Sequence, residues 1–420
     1  MKKIFIIAVL CAAQLLSGAV KITINADRKN FLYKAGETVT FTVKAADDGK
    51  ALAGTKVELT LTEDGLTLLK KETAVLDSEG KAVISGSLNK PGFLRCGAML
   101  VHKNKRSSSL IGAGFDVDKI TPAVAKPADF DKFWAEALKK AASANADFIM
   151  EKLDKLCTAK SDAYKVSVAS PGGRTYGFLR IPKSKKAVPL QVSVPGAGPS
   201  VTAPPADGKH NIAALYANVH SYDPLDPAKS SAQAYREISA KGHYMHRSYE
   251  NLENNQLYNS IIGINTLIDC VARLPEIDSG KLVYSGSSQG GGFGIILAGL
   301  VPNRFKAVVS NITALCDLNG YLAGRNSGWP AISAATKMSD LSKKNIVYFD
   351  AANFATRIKD TKVTVVMGYA DPVCAPSSVY AMYNSLGTAD KSLIPVAFMG
   401  HQVWNSYTFR VDKMLASVCK

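Results

Sequence analysis

Val283-Tyr284-Ser285-Gly286-Ser287-Ser288-Gln289-Gly290-Gly291-Gly292 decides how the rest of this chain is read. A run of β-forming residues enters the pentapeptide G-x-S-x-G, Gly286 to Gly290, and the glycines lead out into an apolar, helix-like stretch, Phe293 to Val301. A serine hydroxyl is a weak nucleophile, so a chain that uses one holds it exposed on a sharp strand-to-helix turn within reach of a base. Glycines two residues to either side remove side chains that would clash there. The backbone N–H of Gln289 then falls at a helix start, where unpaired N–H groups can hold a developing oxyanion. The competing reading is an ordinary Gly/Ser turn with Ser288 as the helix N-cap.

The rest of the chain discriminates between these readings. A catalytic serine needs a base and an acid that orients the base, and on a parallel sheet the expected chain order is Ser, Asp, His. Only one histidine follows Ser288, and His401 comes directly after the strand-like stretch Ile394 to Met399. The apolar strand Val363 to Met367 ends at Gly368-Tyr369-Ala370-Asp371-Pro372, which puts Asp371 at the carboxyl end of a strand, where sites on such sheets gather. Asp360 and Asp390 compete for the role, but neither follows a strong buried strand. A second oxyanion donor is expected after an earlier strand. Leu190 to Val194 runs into Pro195-Gly196-Ala197-Gly198-Pro199, making the N–H of Ala197 the candidate beside that of Gln289. Tyr369, Trp404 and Trp329 are candidates to line a sugar pocket, with core packing the alternative for each. The chemistry needs no cofactor and no metal. His243 and His246 are three apart but lack an acidic or cysteine partner at ligand spacing, so they are not read as a metal site.

Met1-Lys2-Lys3, the apolar run Ile4 to Leu16 and Ser17-Gly18-Ala19 have the pattern of a secretory leader cleaved near Ala19, with a core too short to span a bilayer. The expected mature protein is exported, periplasmic or secreted, and does not span a membrane. The net charge of +16 is spread over scattered basic residues, and no nucleic-acid motif accompanies it. Without Cys11, six cysteines remain, and an oxidising compartment would permit disulfides among them with no pairing selected by spacing.

Two regions are expected. Residues 20 to 118 alternate apolar and polar positions, as in Val39, Phe41 and Val43 against Thr38, Thr40 and Thr42, with turn signals such as Asp47-Asp48-Gly49 between runs. That rhythm predicts an immunoglobulin-like β-sandwich. Lys119 to Lys126 reads as a linker into residues 119 to 420. A helix with Asp129 as N-cap and Trp134 as anchor opens that second region. Beyond it come a hairpin, Tyr164 to Val168 with Tyr176 to Ile181, and then the strands Leu190–Val194, Ala213–Val219, Leu282–Ser285, Phe305–Val309, Val363–Met367 and Val396–Phe398. Helical stretches between most of them, such as Asn255 to Leu274, predict an α/β fold with a mostly parallel sheet.

Over roughly 127 to 420 the chain resembles the acetyl xylan esterase and cephalosporin-C deacetylase group, carbohydrate esterase family 7. The signposts are Pro127-Ala128-Asp129-Phe130-Asp131-Lys132-Phe133-Trp134, Leu274-Pro275-Glu276-Ile277-Asp278, Gly286-Ser287-Ser288-Gln289-Gly290-Gly291 and Gly368 to Pro376 with its D-x-V-C-x-P segment. The resemblance implies an α/β-hydrolase fold, hydrolysis of acetyl esters on xylan-derived sugars or similar molecules, a triad of Ser288, Asp371 and His401, and oxyanion donors at Gln289 and the Ala197 loop. Its expected partner is an acetylated oligo- or polysaccharide. The chain departs from the family where H-G-Y-G is replaced by Pro195-Gly196-Ala197-Gly198, where an R-G-Q motif is replaced by the stretch Asn218-Val219-His220-Ser221-Tyr222, and at Gln402. The family's ring-shaped oligomer does not carry over. Two other readings stay open at this level: a non-catalytic glycan-binding protein with a degenerate esterase domain, and an esterase or peptidase of other specificity on the same fold.

Overall fold

The computed structural model describes residues 20–419 apart from 200, 207 and 241–243. Residues 1–19, where a leader is expected, and His243 lie outside the described residues.

The first region is a two-sheet sandwich. Its strands are β1 Lys21–Ala26, β2 Leu32–Tyr33, β3 Thr38–Asp47, β4 Lys50–Ala51, β5 Lys56–Glu63, β6 Thr67–Val75, β7 Lys81–Ser87, β8 Gly92–His102 and β9 Lys105–Phe115. One sheet is built around β3, which pairs with β1, β4 and β7; the other runs β2-β9-β8-β5-β6. The period-two pattern explains the layering: Val39, Phe41 and Val43 of β3 and Val57, Leu59 and Leu61 of β5 all turn into the core between the sheets.

The stretch expected to be a linker is instead packed. Ile120 is buried in the core of the second region, and Asn384 donates to the carbonyls of both Val117 and Ile120 at 2.8 and 2.9 Å. Pro122 and Pro127 keep this segment out of regular structure. Helix α1, Phe130–Ser143, follows. Asp129 occupies its N-cap position but makes no capping bond, because its carboxylate accepts from the Tyr348 hydroxyl instead. Trp134 is fully buried, as expected of an anchor.

The second region is built on a nine-stranded sheet. Its strands are β10 Ile149–Lys152, β11 Ser161–Ser170, β12 Gly173–Pro182, β13 Val188–Ser193, β14 Ala213–Ala217, β15 Ile277–Ser287, β16 Phe305–Asn311, β17 Lys362–Gly368 and β18 Lys391–Val396. They run in the order β10-β11-β12-β14-β13-β15-β16-β17-β18, antiparallel up to the β12–β14 pair and parallel from β14 to β18. The remaining helices are α2 Ser231–Ser239, α3 Gln256–Ala272, α4 Gln289–Leu300, α5 Asp340–Asn345, α6 Ala351–Ala355, α7 Pro376–Asn384 and α8 Asn405–Val418. Alternation within β15 shows why both faces are covered. Leu282 and Tyr284 face the main core shared with α3 and α4, whereas Val283 faces Met414 of α8 on the other side.

The last strand differs from the expected Val396–Phe398. It is Lys391–Val396, and the chain turns at Ala397 and Phe398, where the Phe398 side chain is 60% exposed. An edge strand buries little, so its half-exposed residues carry a weak hydrophobic signal, and the apolar run after it misleads.

Candidate active site

Strand β15 ends at Ser287 and α4 starts at Gln289, so Ser288 alone makes the turn. Its backbone sits at φ 56°, ψ −121°, a conformation that disfavours an L-residue with a side chain, and the side chain makes no capping bond. The turn is held from both ends. Ser288 N–H donates to Asn311 O at 2.9 Å, and Ser288 O accepts from Gly292 and Ala314 at 3.0 and 3.1 Å. Glycine is required beside it: a Cβ at Gly286 would meet the Gly290 carbonyl at 2.6 Å, and one at Gly290 would collide with the Val194 carbonyl.

The three residues singled out in sequence converge. His401 Nε2 lies 3.0 Å from Ser288 Oγ, and His401 Nδ1 lies 2.9 and 3.2 Å from the two carboxylate oxygens of Asp371. Asp371 is fully buried at the end of β17, and its Oδ1 also accepts the N–H groups of Val373 and Cys374 at 2.8 and 2.9 Å. Those bonds fix the carboxylate, which in turn fixes the ring. A proton on Nδ1 leaves Nε2 as the acceptor facing the serine hydroxyl, the arrangement that makes a hydroxyl nucleophilic. The competing carboxylates do not enter: Asp360 is exposed, and Asp390 is exposed beside Lys362 at the opposite end of the strands.

Cys374 also enters this cluster. Its thiol is buried beside Ser288 and Trp329, and burial pushes it well above the ordinary thiol range. Among the described residues, Asp371, Cys374 and His401 are the group whose ligand atoms lie close enough to hold a metal. Both ring nitrogens of His401 are engaged with Ser288 and Asp371, however, and a protonated thiol is a poor ligand. His246 bonds the Pro330 carbonyl at 2.7 Å. None of the six described cysteines is joined to another.

The Pro195–Pro199 loop lies over the elbow. A Cβ at Gly196 would sit 3.7 Å from the Ser287 carbonyl and 3.8 Å from Ser288 Cβ, and the adjacent Ala197 is exposed. The loop is tethered from behind by the stretch that replaces the family's R-G-Q. His220 Nε2 lies 3.2 Å from Gly198 O, the Tyr222 hydroxyl donates to Pro199 O, and the two rings stack at 5.4 Å. Burial pushes the His220 pKa down to about 4, so the ring is neutral and its Nε2–H donates. Tyr244 packs edge-on to His220 and accepts from Gln289 Nε2 at 3.2 Å, which locks the side chain of the first oxyanion candidate.

The three aromatic candidates part ways. Tyr369 is 1% exposed, packs on Phe93 of the sandwich and hydrogen-bonds Tyr380 at 2.9 Å, so it is a core residue and not a pocket wall. Position after a strand did not reveal that the sandwich covers it. Trp329 is half-buried beside Cys374. Trp404 is 37% exposed and packs edge-on against Phe398, 5.5 Å away, three residues past His401. Two residues close to the site escaped sequence reasoning altogether. Arg95 and Asp64 of the sandwich are buried against the Asp371 loop and α7. Their one signal was a charged residue inside the apolar run Phe93-Leu94-Arg95-Cys96.

Comparison with known proteins matches residues 116–417 to the acetyl xylan esterase family model. An acetyl esterase, Axe7A of Xylanibacter ruminicola, is 29% identical over 343 residues, covering 79% of this chain and 74% of that protein. Among solved structures, acetyl xylan esterase 1 from Thermoanaerobacterium sp. JW/SL YS485 superposes with a TM-score of 0.59 at 19% identity, covering 72% of this chain and 97% of that one. The acetyl xylan esterase of Paenibacillus sp. R4 does so with a TM-score of 0.59 at 20% identity, covering 72% and 98%. At that identity the two structures establish the α/β-hydrolase fold of the second region.

Proposed function

The chain belongs to the acetyl xylan esterase family, and on that footing we propose that it is an exported serine esterase that removes O-acetyl groups from xylan-derived or similar acetylated carbohydrates through Ser288, His401 and Asp371. Membership makes it a carboxylic ester hydrolase acting on acetylated carbohydrate; the residue roles, the acyl-enzyme and export are the proposal. The observation that carries it is the hydrogen-bonded series from Ser288 Oγ through His401 to the buried Asp371 carboxylate.

In this reading His401 Nε2 takes the Ser288 proton as Oγ attacks the acetyl carbonyl carbon. The N–H groups of Gln289 and Ala197 hold the negative oxygen of the tetrahedral intermediate. His401 then gives the proton to the departing sugar oxygen, leaving acetyl-Ser288. A water molecule, deprotonated by the same nitrogen, attacks the acetyl carbon. Acetate leaves and Ser288 regains its proton. The Asp371 carboxylate holds Nδ1 and stabilises the imidazolium.

Export rests on the leader pattern of Met1 to Ala19, and among the described residues no helix is long and apolar enough to cross a membrane. Acetate release from acetylated xylooligosaccharides by purified protein is the direct test. Turnover lost in Ser288→Ala, with folding retained, is the expected result. A well-folded wild type that releases no acetate from sugar acetates or p-nitrophenyl acetate would sink the proposal.

A further inference from the structure

The sandwich, residues 20–115, precedes the stretch matched by the family model, yet three of its strands press on the loops that carry the acid and the base. Arg95 of β8 is buried and its guanidinium donates at 2.8 Å to the backbone carbonyl of Asp371 itself. Asp64, which follows β5, is fully enclosed, and its Oδ2 accepts from Ser377 Oγ in the first turn of α7 at 2.5 Å and from Asn326 N–H at 2.7 Å. Burial pushes the Asp64 carboxyl up and the Arg95 guanidinium down, and the attraction between the two charges opposes both shifts. Gly112 of β9 lies so close that a Cβ there would meet the Tyr369 carbonyl at 2.5 Å, two residues before Asp371. Its N–H donates at 3.3 Å to Ala397 O, on the segment leading to His401. Phe93 fills the space between Tyr369 and Tyr380.

We propose that Arg95 is a positioning residue for the catalytic acid: the sandwich is a working part of the hydrolase site and not a spacer beside it. The inference rests on the reading of Asp371 as the acid that orients His401. The physical reason is placement. Asp371 is at the end of a strand on a loop, and apart from His401 the partners of its side chain among the described residues are the N–H groups of Val373 and Cys374 within that same loop. A guanidinium donor cannot be deprotonated, and holding the loop's own carbonyl from a separate rigid sheet gives the loop an external reference point. Burying a guanidinium for a contact with one carbonyl is costly for stability, so positioning is a better account of it than cohesion between the two regions.

The test uses the full-length chain. Removing Arg95 alone would take away the largest charge that offsets the burial of Asp64, so the informative variant is the pair Asp64→Asn with Arg95→Met. Its kcat per active site, counted by acyl-enzyme burst, is expected to fall at least ~10-fold while KM for p-nitrophenyl acetate stays within about twofold, the signature of a misplaced catalytic group. Arg95→Lys keeps a cationic donor and is expected to recover most of the loss. A purely structural contact would lower the melting temperature and leave kcat per active site unchanged; that result overturns the proposal. Should the double variant fail to fold, Ser377→Ala removes the hydroxyl that joins the sandwich, through Asp64, to the start of α7 just after the Asp371 loop. It is expected to lower kcat about threefold at constant KM, the worth of roughly one neutral hydrogen bond; unchanged kcat there also overturns the proposal. Asp371→Asn is measured alongside. Full activity in that variant would remove the triad reading itself. Loss of activity there, with normal kcat in the sandwich variants, would remove only the positioning role.

Discussion

Ser288 Oγ lies 3.0 Å from His401 Nε2 while the Ser288 backbone sits at a positive φ of 56°. The residue that gains a base therefore does so on a strained turn, which costs roughly 1–3 kcal/mol for a residue with a side chain. Ser288→Gly should relieve that strain, raising stability by about 1 kcal/mol over Ser288→Ala in urea unfolding, and both variants should lose ester hydrolysis. Equal stability of the two would mean that the turn stores no strain.

Asp371→Asn is expected to fold normally and lose about 10³–10⁴-fold in kcat, because an amide cannot both accept from Val373 and Cys374 N–H and hold the His401 Nδ1–H. Steady-state rates on p-nitrophenyl acetate with active-site counting measure it. A loss under tenfold would shift the acid's role to another carboxylate.

His220 links pH to stability. Its pKa is about 4 in the fold against 6.5 for the free side chain, so between these values the unfolded chain binds the extra proton. Stability from this residue is complete above pH 6.5 and falls as pH drops toward 4, by up to ~3 kcal/mol. In His220→Gln the urea midpoint should vary less with pH across that window than in the wild type. Identical profiles would show that the ring is not buried neutral against Gly198.

Phe398 and Trp404 form an exposed aromatic pair that flanks the catalytic histidine candidate along the chain. If sugar rings rest there, Trp404→Ala should raise KM for acetylated xylooligosaccharide several-fold and leave KM for p-nitrophenyl acetate unchanged. An equal effect on both substrates would point to loop packing.

How much of this was legible beforehand follows from the range of each signal. The elbow, the parallel strands and the order Ser288, Asp371, His401 could be read directly. Each rests on local demands: glycines where a turn forbids Cβ atoms, apolar runs where a strand is covered on both faces, and a polar residue just past a strand end. The edge strand β18 was misplaced because an element that buries little writes little into the sequence. Tyr369 stayed open between pocket and core for a different reason: what covers it, Phe93 in the sandwich, lies far away along the chain.

By itself, then, the sequence determined the hydrolase fold, the strand-to-helix turn at Ser288 and the identity of the three residues that meet there. The tertiary structure alone decided that the sandwich reaches Asp371 through Arg95, that His220 and Tyr222 tie down the Pro195–Pro199 loop, and which aromatics face solvent. Local backbone geometry leaves periodic and turn-specific marks along a chain. A contact between Arg95 and Asp371, made across 276 positions, depends on how two separate sheets come to rest against each other, and neither stretch encodes that alone.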